Sequence, residues 1–379
     1  MGTARLLVGM GRSMRILFSS VPAPGHLLPM LPLATAAAEA GHEVAFLTDA
    51  GMAGYLEPRS LLPAGPDTLT LFAETERRTG GGDAKHPGAA AVEFFTGTRI
   101  DLTFDKALGH ARKYEPDIMI CEEYDFVGPM VAAALDVHWA SHAISAPLPL
   151  QGEMIERATA EHAARGLRPR QRIALIDPIP DALRSPDDPA RHGYLIVTRP
   201  VAHRGAGAAK PEPELPTRRP LVLVTMGTSV REPELLAGLV GSVADAGYEV
   251  AVTTEPGTLP SNSRVHEIGF VPLAQLLPAV DAVVGTAGSG TVVATLAAGL
   301  PAVLRPVLAD QPRNAQRVAA AGAGIAIEDP AEAGPAVRSV LMDPAYRAAA
   351  SAAADSIRSM PSPEEALSEL LARAAFARP

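Results

Sequence analysis

The chain has 379 residues, 47% hydrophobic and 20% charged, so two domains are expected, because one hydrophobic core seldom organises this length. A formal net charge of -9 argues against nucleic acid as the main partner, and the single cysteine, Cys121, excludes an intrachain disulfide. No window of about twenty apolar residues is free of charge and proline, so the sequence predicts no membrane span and a cytoplasmic protein.

The first half of the chain alternates short apolar runs with helical patterns. Residues 1–13 lack the apolar core of a secretory signal and are read as an extension. The following pattern predicts a βαβ unit whose helix ends at Gly41, and then two more strands with a helix between them. A parallel sheet covered by helices follows from that order. The predicted elements are a strand at 15–19, a helix at 28–40, strands at 44–47, 117–121 and 137–141, and a helix at 128–135.

A stretch rich in glycine, alanine and proline then separates two halves of similar pattern. It predicts a linker at 206–220 between an N-terminal domain, 14–205, and a C-terminal domain, 221–379. Both halves read as doubly wound α/β domains, and the ends of two such sheets form a ligand cleft when they face each other. The second half predicts strands at 221–225, 249–253, 281–285 and 302–304, helices at 234–246, 292–298 and 314–321, and two or more helices over 348–376.

A glycine turn joins the strand at 281–285 to the helix at 292–298. Gly288 and Gly290 let backbone N–H groups approach an anion closely, and the N-terminus of the following helix adds partial positive charge. The turn therefore predicts a diphosphate site, although ordinary turn chemistry alone explains many such turns.

The order of several motifs resembles that of the inverting GT-B glycosyltransferases, specifically the bacterial nucleotide-sugar enzymes of glycosyltransferase family 1 that decorate antibiotics and other natural products. This resemblance implies two Rossmann-like domains facing across a cleft, with C-terminal helices packing back across the boundary. It also implies a nucleotide-sugar donor, a dTDP-sugar or a UDP-sugar with dTDP favoured, and no cofactor or metal. The motifs are Ala23 to Pro29, Pro116-Asp117 with Cys121 to Glu123, Val224 to Thr228, Gly269 to Pro272, Thr286 to Thr291, and Asp310-Gln311 with Asn314-Ala315.

His26 is the predicted catalytic base. An acceptor hydroxyl is a poor nucleophile, and a neutral imidazole can remove its proton at neutral pH. The resemblance assigns this role to the histidine of the segment Gly25 to Pro29, whereas the residues alone would also suit a loop histidine that caps a helix. An acid that orients the imidazole is expected at Glu122, with Glu123 the immediate alternative and Asp125 a weaker one.

The resemblance implies the remaining donor contacts. Asp310 and Gln311 correspond to the pair that binds sugar hydroxyls, Val271 to the position whose backbone meets the nucleobase, and Thr228 to a hydroxyl near the phosphates. The diphosphate is expected at Gly288, Ser289, Gly290 and Thr291. Thr286 stands where many relatives have a histidine aimed at the diphosphate, and a threonine can donate a hydrogen bond but carries no charge.

The acceptor is expected to be a small hydrophobic natural product. Regions 79–97 and 147–188 are loop-rich or weakly periodic and are expected to overhang the N-terminal half of the cleft. Apolar residues that could line a pocket there are more often core residues. The resemblance leaves open the kind of glycosidic bond and whether the protein is a homodimer. The pocket candidates are Phe94, Phe95, Phe104 and Met154.

Two other classes of function compete with the transferase. A non-catalytic auxiliary that keeps the fold would explain Thr286, yet His26, Asp310 and Gln311 are all present. A dinucleotide oxidoreductase would need a GxGxxG turn after the first strand, and residues 20–25 read SVPAPG instead.

Overall fold

The computed structural model of the protein describes residues 12–205 and 215–376. Most of the predicted N-terminal extension and the first nine residues of the predicted linker lie outside these residues, so the division at 206–220 stays a prediction. Two wholly parallel sheets organise the chain, one of seven strands and one of six. Among the described residues, no helix is long and apolar enough to cross a membrane.

The first sheet has the strand order β3-β2-β1-β4-β5-β6-β7, and the second has the order β10-β9-β8-β11-β12-β13. The strands of the first are β1 Arg15–Ser19, β2 Glu43–Thr48, β3 Ser60–Pro63, β4 Ile118–Glu122, β5 His138–His142, β6 Leu175–Asp177 and β7 Leu195–Val197. Those of the second are β8 Leu221–Thr225, β9 Glu249–Val252, β10 Val265–Glu267, β11 Ala282–Gly285, β12 Ala302–Leu304 and β13 Gly324–Ala326.

Helices cover both sheets. In the first half they are α1 Pro24–Leu27, α2 Leu31–Glu39, α3 Ala53–Leu56, α4 Thr68–Thr79, α5 Ala89–Glu93, α6 Arg99–Tyr114, α7 Val127–Leu135 and α8 Gln151–Ala164. In the second half they are α9 Pro233–Asp245, α10 Leu273–Leu276, α11 Ser289–Ala297, α12 Gln311–Ala320, α13 Ala333–Met342, α14 Pro344–Ser359 and α15 Pro363–Phe376.

Each sheet reverses its direction of growth at one place, and these two places locate the ligand crevices. The first sheet grows outward from β1 to β3 and then restarts at β4, on the other side of β1. The second does the same between β8 and β11. In open parallel sheets, ligands bind beyond the carboxyl ends of the strands at such a switch point. The segments after β1, β4, β8 and β11 are therefore the ones that can meet ligands.

The C-terminal helix belongs in packing terms to the first domain. Buried residues of α15, among them Leu367 and Leu370, join the core cluster that contains Phe18, Phe46 and Ile120 of the first sheet. The expectation that terminal helices pack back across the boundary is confirmed. The packing of α15 on the first domain therefore adds an apolar contact that connects the two halves in addition to the linker.

Three differences from the predicted elements bear on the site. The two helices α11 and α12 begin three residues earlier than expected, at Ser289 and Gln311, so residues of both donor motifs occupy first helical turns. The region 147–188 is loop-rich, as expected, but it also contains the helix α8 and the strand β6, which were not predicted. The helix α8 was not predicted because it buries only three residues, Met154, Ala158 and His162. The strand β6 was not predicted because it has only three residues.

Candidate active site

His26 and Glu122 meet at the switch point of the first sheet. His26 lies on α1, directly after β1, where Pro24 occupies the first helical turn. Glu122 is the last residue of the neighbouring strand β4. The His26 Nδ1 atom lies 2.9 Å from Oε1 of Glu122, and the imidazole is 21% exposed while the carboxylate is fully buried. The pair thus joins a solvent-facing ring to a buried acid.

The second oxygen of Glu122 fixes the carboxylate in place. Oε2 accepts a hydrogen bond of 2.8 Å from the backbone N–H of Tyr124. An ionised Glu122 can only accept hydrogen bonds, and it therefore requires the shared hydrogen to be on Nδ1 of His26. The other ring nitrogen, Nε2, then carries a lone pair. A neutral histidine held in this tautomer is able to accept a proton at Nε2.

The two alternative acids contact other partners. Glu123 lies in the turn after β4 and accepts a hydrogen bond of 2.8 Å from the Gln151 side chain, with Arg191 Nη1 at 3.4 Å. Burial raises the pKa of this carboxyl. Asp125 is buried beneath the site in an ion pair with Arg99. Of the three acids, Glu122 is therefore the one that contacts His26.

The buried ion pair of Asp125 and Arg99 holds the segments next to His26 and Glu122 in place. Asp125 accepts hydrogen bonds from the Ser19 hydroxyl and from the Val127 N–H, the latter at 3.1 Å. Arg99 donates to the backbone oxygen of Ser20 at 2.8 Å. This ion pair links the end of β1, which precedes the helix of His26, to the loop that follows Glu122 at the end of β4. Removing one member would leave a buried charge, which typically costs about 3–5 kcal/mol.

Aromatic rings surround the imidazole. The ring centroids of Phe95 and Tyr124 lie 5.9 and 6.3 Å from that of His26, and Phe94 contacts Phe95 edge to face at 4.9 Å. Of the four candidate pocket residues, Phe104 and Met154 take the core role that the sequence favoured as the alternative. These two are 7% and 1% exposed and belong to the core of the first domain. The apolar wall beside the base is thus made by Phe95 and its aromatic neighbours.

The glycine turn opens α11 at the switch point of the second sheet. Gly288 is the N-cap residue, so Ser289, Gly290 and Thr291 form the first helical turn, where backbone N–H groups lack intrahelical partners. A Cβ atom on Gly227 would lie 3.8 Å from Thr291 Oγ1. The loop after β8, which also carries Thr228, therefore lies against this helix terminus, and both face the same space.

Asp310 and Ser289 are bonded to each other, which joins the two donor motifs. The Ser289 hydroxyl donates to Asp310 Oδ2 at 2.5 Å, and Asn314 Nδ2 donates to the same oxygen at 2.8 Å. Asn314 also donates to the backbone oxygen of Ala287 at 3.0 Å. The sequence motif included Asn314, yet no role was predicted for it. Its contacts show that it holds the glycine turn and the acid in register.

Two alanines in the left-handed backbone region precede these motifs. Ala287 has φ 62° and Ala309 has φ 53°. Residues other than glycine adopt this conformation at a cost of about 1 kcal/mol or more, and such strain clusters at ligand sites. The bond from Asn314 to the Ala287 oxygen offsets part of that strain. Both donor loops are therefore held in conformations that the local sequence does not favour.

Gln311 offers its amide hydrogens and not its amide oxygen to a ligand. Its Oε1 accepts hydrogen bonds from the backbone N–H groups of Val307 and Leu308, at 2.8 and 3.0 Å. The side chain is 3% exposed. The amide hydrogens of Gln311 thus lie next in sequence to the acceptor carboxylate of Asp310.

Thr286 is buried and its hydroxyl is engaged. Its Oγ1 donates to the backbone oxygen of Met226 at 3.2 Å, and the residue is 3% exposed. A bond from this hydroxyl to a diphosphate would require it to rotate away from Met226. Val271 packs against the core of the second domain, next to Phe270, which is 48% exposed. An aromatic ring left this exposed at a sheet end was not singled out from the sequence.

Known proteins are similar to this one over nearly the whole chain. The family described as "Erythromycin biosynthesis protein CIII-like, C-terminal domain" matches residues 238–372. L-demethylnoviosyl transferase of Streptomyces niveus is 32% identical over 380 aligned residues, covering 92% of this chain and 96% of its own. The match therefore includes both sheets and both halves of the candidate site.

Solved structures agree with the fold. The glycosyltransferase SsfS6 of Streptomyces sp. SF2575, in complex with thymidine diphosphate, is 26% identical, with a TM-score of 0.81 over 95% of this chain and 99% of its own. SnogD of Streptomyces nogalater, also a glycosyltransferase, is 28% identical, with a TM-score of 0.78 over 96% of this chain and 100% of its own. The expected arrangement of two Rossmann-like domains is confirmed.

Proposed function

Because the chain belongs to the GT-B glycosyltransferases of antibiotic and natural-product biosynthesis, we propose that it moves a sugar, typically a deoxysugar, from a dTDP-sugar to a small hydrophobic natural product. The transfer proceeds with inversion at the anomeric carbon. The observation that carries this proposal is the contact between His26 and Glu122 at one switch point, with an open helix terminus and a paired acid at the other.

His26 acts as the general base. Its Nε2 atom takes the proton of the acceptor hydroxyl as the acceptor oxygen forms a bond to the anomeric carbon. The bond from that carbon to the diphosphate oxygen breaks, and the nucleoside diphosphate leaves with the electron pair. Glu122 holds the ring in the required tautomer and stabilises the imidazolium that forms. Attack opposite to the leaving group converts an α-linked donor into a β-glycoside.

Backbone N–H groups stabilise the leaving diphosphate. The first turn of α11 carries the uncompensated donors of Ser289, Gly290 and Thr291, and the helix terminus adds roughly half a positive charge. Thr286 supplies no charge where many relatives have histidine. The donors of the helix terminus, with the neighbouring loop of Thr228, therefore carry this task.

The nucleobase is thymine in this proposal. SsfS6, which is 26% identical to this chain, was crystallised with thymidine diphosphate. In this chain Phe270 leaves a largely open aromatic face beside Val271, and base-to-aromatic stacking is worth roughly 1–3 kcal/mol. The acceptor then lies against Phe95 and Tyr124, beside His26. An apolar acceptor suits these rings.

Substituting Asp310 with alanine should weaken binding of the sugar part of the donor without weakening binding of the nucleotide part. The binding of dTDP-glucose is expected to weaken about 10- to 100-fold, because a hydrogen bond to a charged group contributes about 1.5–3 kcal/mol. The binding of free dTDP should be nearly unchanged, since it lacks the sugar. Calorimetric titration of wild type and variant with both ligands measures the difference. Equal weakening of both would mean that Asp310 serves the turn through Ser289, and not the sugar.

A further inference from the structure

One segment connects the two halves of the candidate site, residues 177–191, here called the bridge segment. It begins at Asp177, at the carboxyl end of β6, and crosses to the second domain. Ile179 and Leu183 are 3% and 1% exposed, and they share one apolar cluster with Ala287 of the glycine turn and Ala315 of α12. The bridge segment of the first domain thus packs directly on elements of the donor site.

Asp188 lies at the centre of the polar part of this contact. Its Oδ1 atom accepts from Arg313 Nη2 at 3.0 Å and from Arg317, both on α12. Its Oδ2 atom accepts from the Ser185 N–H at 3.0 Å, which fixes the carboxylate within the bridge segment. Arg317 also donates to the Leu183 oxygen at 2.7 Å. Asp188 is 12% exposed and Arg317 is 9% exposed, so water screens the pair weakly.

The helix that these arginines anchor is the one that presents the donor residues. Asp310 is the N-cap residue of α12 and Gln311 is its first residue. Arg313 and Arg317 are four residues apart and lie on one face of the helix, toward the bridge segment. A displacement of α12 relative to that segment would therefore carry Asp310 and Gln311 with it.

The bridge segment also contacts the turn that follows Glu122, the acid partner of His26. Arg191 lies 3.4 Å from Glu123 and 3.6 Å from Asp177, and it is 9% exposed. Glu123 directly follows Glu122, the partner of His26. The bridge segment therefore contacts the turn after β4 through Arg191 and the helix α12 through Asp188.

We propose that Asp188 is a positioning residue for the transfer reaction. By holding Arg313 and Arg317 it fixes α12 against the first domain, and so fixes the separation between a sugar bound at Asp310 and the proton-accepting atom of His26. The inference rests on the proposed function, because the proposed function assigns sugar binding to Asp310 and proton transfer to His26. A misplacement of about 1 Å between reacting groups can cost about 10²-fold in rate, so a residue remote from the chemistry can control kcat.

The test compares Asp188→Ala with Asp187→Ala. Asp187 is adjacent and exposed, and it gives a matched loss of one carboxylate. With dTDP-glucose as donor and water as acceptor, release of dTDP by Asp188→Ala is expected to fall about 10- to 100-fold in kcat, while dTDP affinity matches that of Asp187→Ala. Equal kcat values for the two variants would overturn the proposal. Asp188→Asn, which keeps the size and removes the charge, replaces the alanine variant if that one fails to fold.

Hydrogen exchange separates a failure of this proposal from a failure of the proposed function. A wild-type protein that bound neither dTDP nor UDP would argue against the donor site itself. Amide exchange of residues 179–183 and of α12 can still be compared between the two variants without any ligand. Faster exchange in Asp188→Ala than in Asp187→Ala is expected if Asp188 holds the contact. Identical exchange would overturn the positioning role, whatever the protein binds.

Discussion

Replacing His26 with alanine is expected to lower kcat about 10²- to 10⁴-fold, which is the typical contribution of a general base. The imidazole is the partly exposed member of its pair, and Glu122 is fully buried, so only His26 can reach an acceptor. Because no donor contact is assigned to His26, dTDP affinity should be nearly unchanged. The measurements are steady-state release of dTDP from a dTDP-sugar and calorimetric titration with dTDP.

A second histidine offers a matched control for this substitution. His86 Nδ1 lies 2.8 Å from Asp83 Oδ2, so it also forms a pair with an acid, but both side chains are more than half exposed. His86→Ala should leave kcat close to the wild-type value, since exposed pairs contribute little. Retention of turnover by His26→Ala would remove His26 from the mechanism. An equal loss in both variants would point to a general effect of losing a histidine.

Replacing Glu122 with glutamine should be about as damaging as removing the base itself, with a loss of about 10²- to 10⁴-fold in kcat. The position of each amide atom is constrained. The backbone N–H of Tyr124 requires an acceptor at 2.8 Å, so the glutamine oxygen must face Tyr124. Its NH₂ group then faces Nδ1 of His26, which must accept. The ring hydrogen moves to Nε2, and the atom that should take the acceptor proton already carries one.

The Glu122→Gln variant distinguishes an effect on the tautomer of His26 from an effect on folding. Its shape matches that of glutamate, so dTDP affinity and thermal stability are expected to change little while kcat collapses. Glu122→Asp keeps the charge but shortens the side chain, and a loss smaller than that of Glu122→Gln is expected because the correct tautomer is retained. If Glu122→Gln kept most of the wild-type kcat, the acid would not set the tautomer of His26.

Patterns along the chain were enough to predict the architecture. Apolar runs predicted eight of the thirteen strands in the described residues, and the five that were missed have only three or four residues each. Gly41 follows its helix with a positive φ, as predicted. The expected glycine turn between β11 and its helix is present, although α11 begins earlier because Ser289 to Thr291 are themselves helical. Such local signals depend on neighbours within a few residues, and these are visible in a sequence.

Contacts between distant residues could not be predicted in the same way. The sequence left Glu122, Glu123 and Asp125 as alternatives, because only the fold decides which acid faces a histidine 96 residues earlier. The bond from Thr286 to Met226 spans 60 residues, and that from Arg317 to Asp188 spans 129. Asn314 lies in a recognised motif, yet its bonds depend on how α12 meets the turn at Ala287. Each of these partners is set by tertiary packing, not by local pattern.

The most direct test of the central claim is a calorimetric titration of the wild-type protein with dTDP, UDP and NAD, since it needs no acceptor. Binding of dTDP, tighter than that of UDP and with no binding of NAD, is the predicted result. It would establish the donor half of the enzyme at the terminus of α11. Absence of binding to both dTDP and UDP would contradict the account. Thr286 would then be a disabling change, and a non-catalytic auxiliary role would follow.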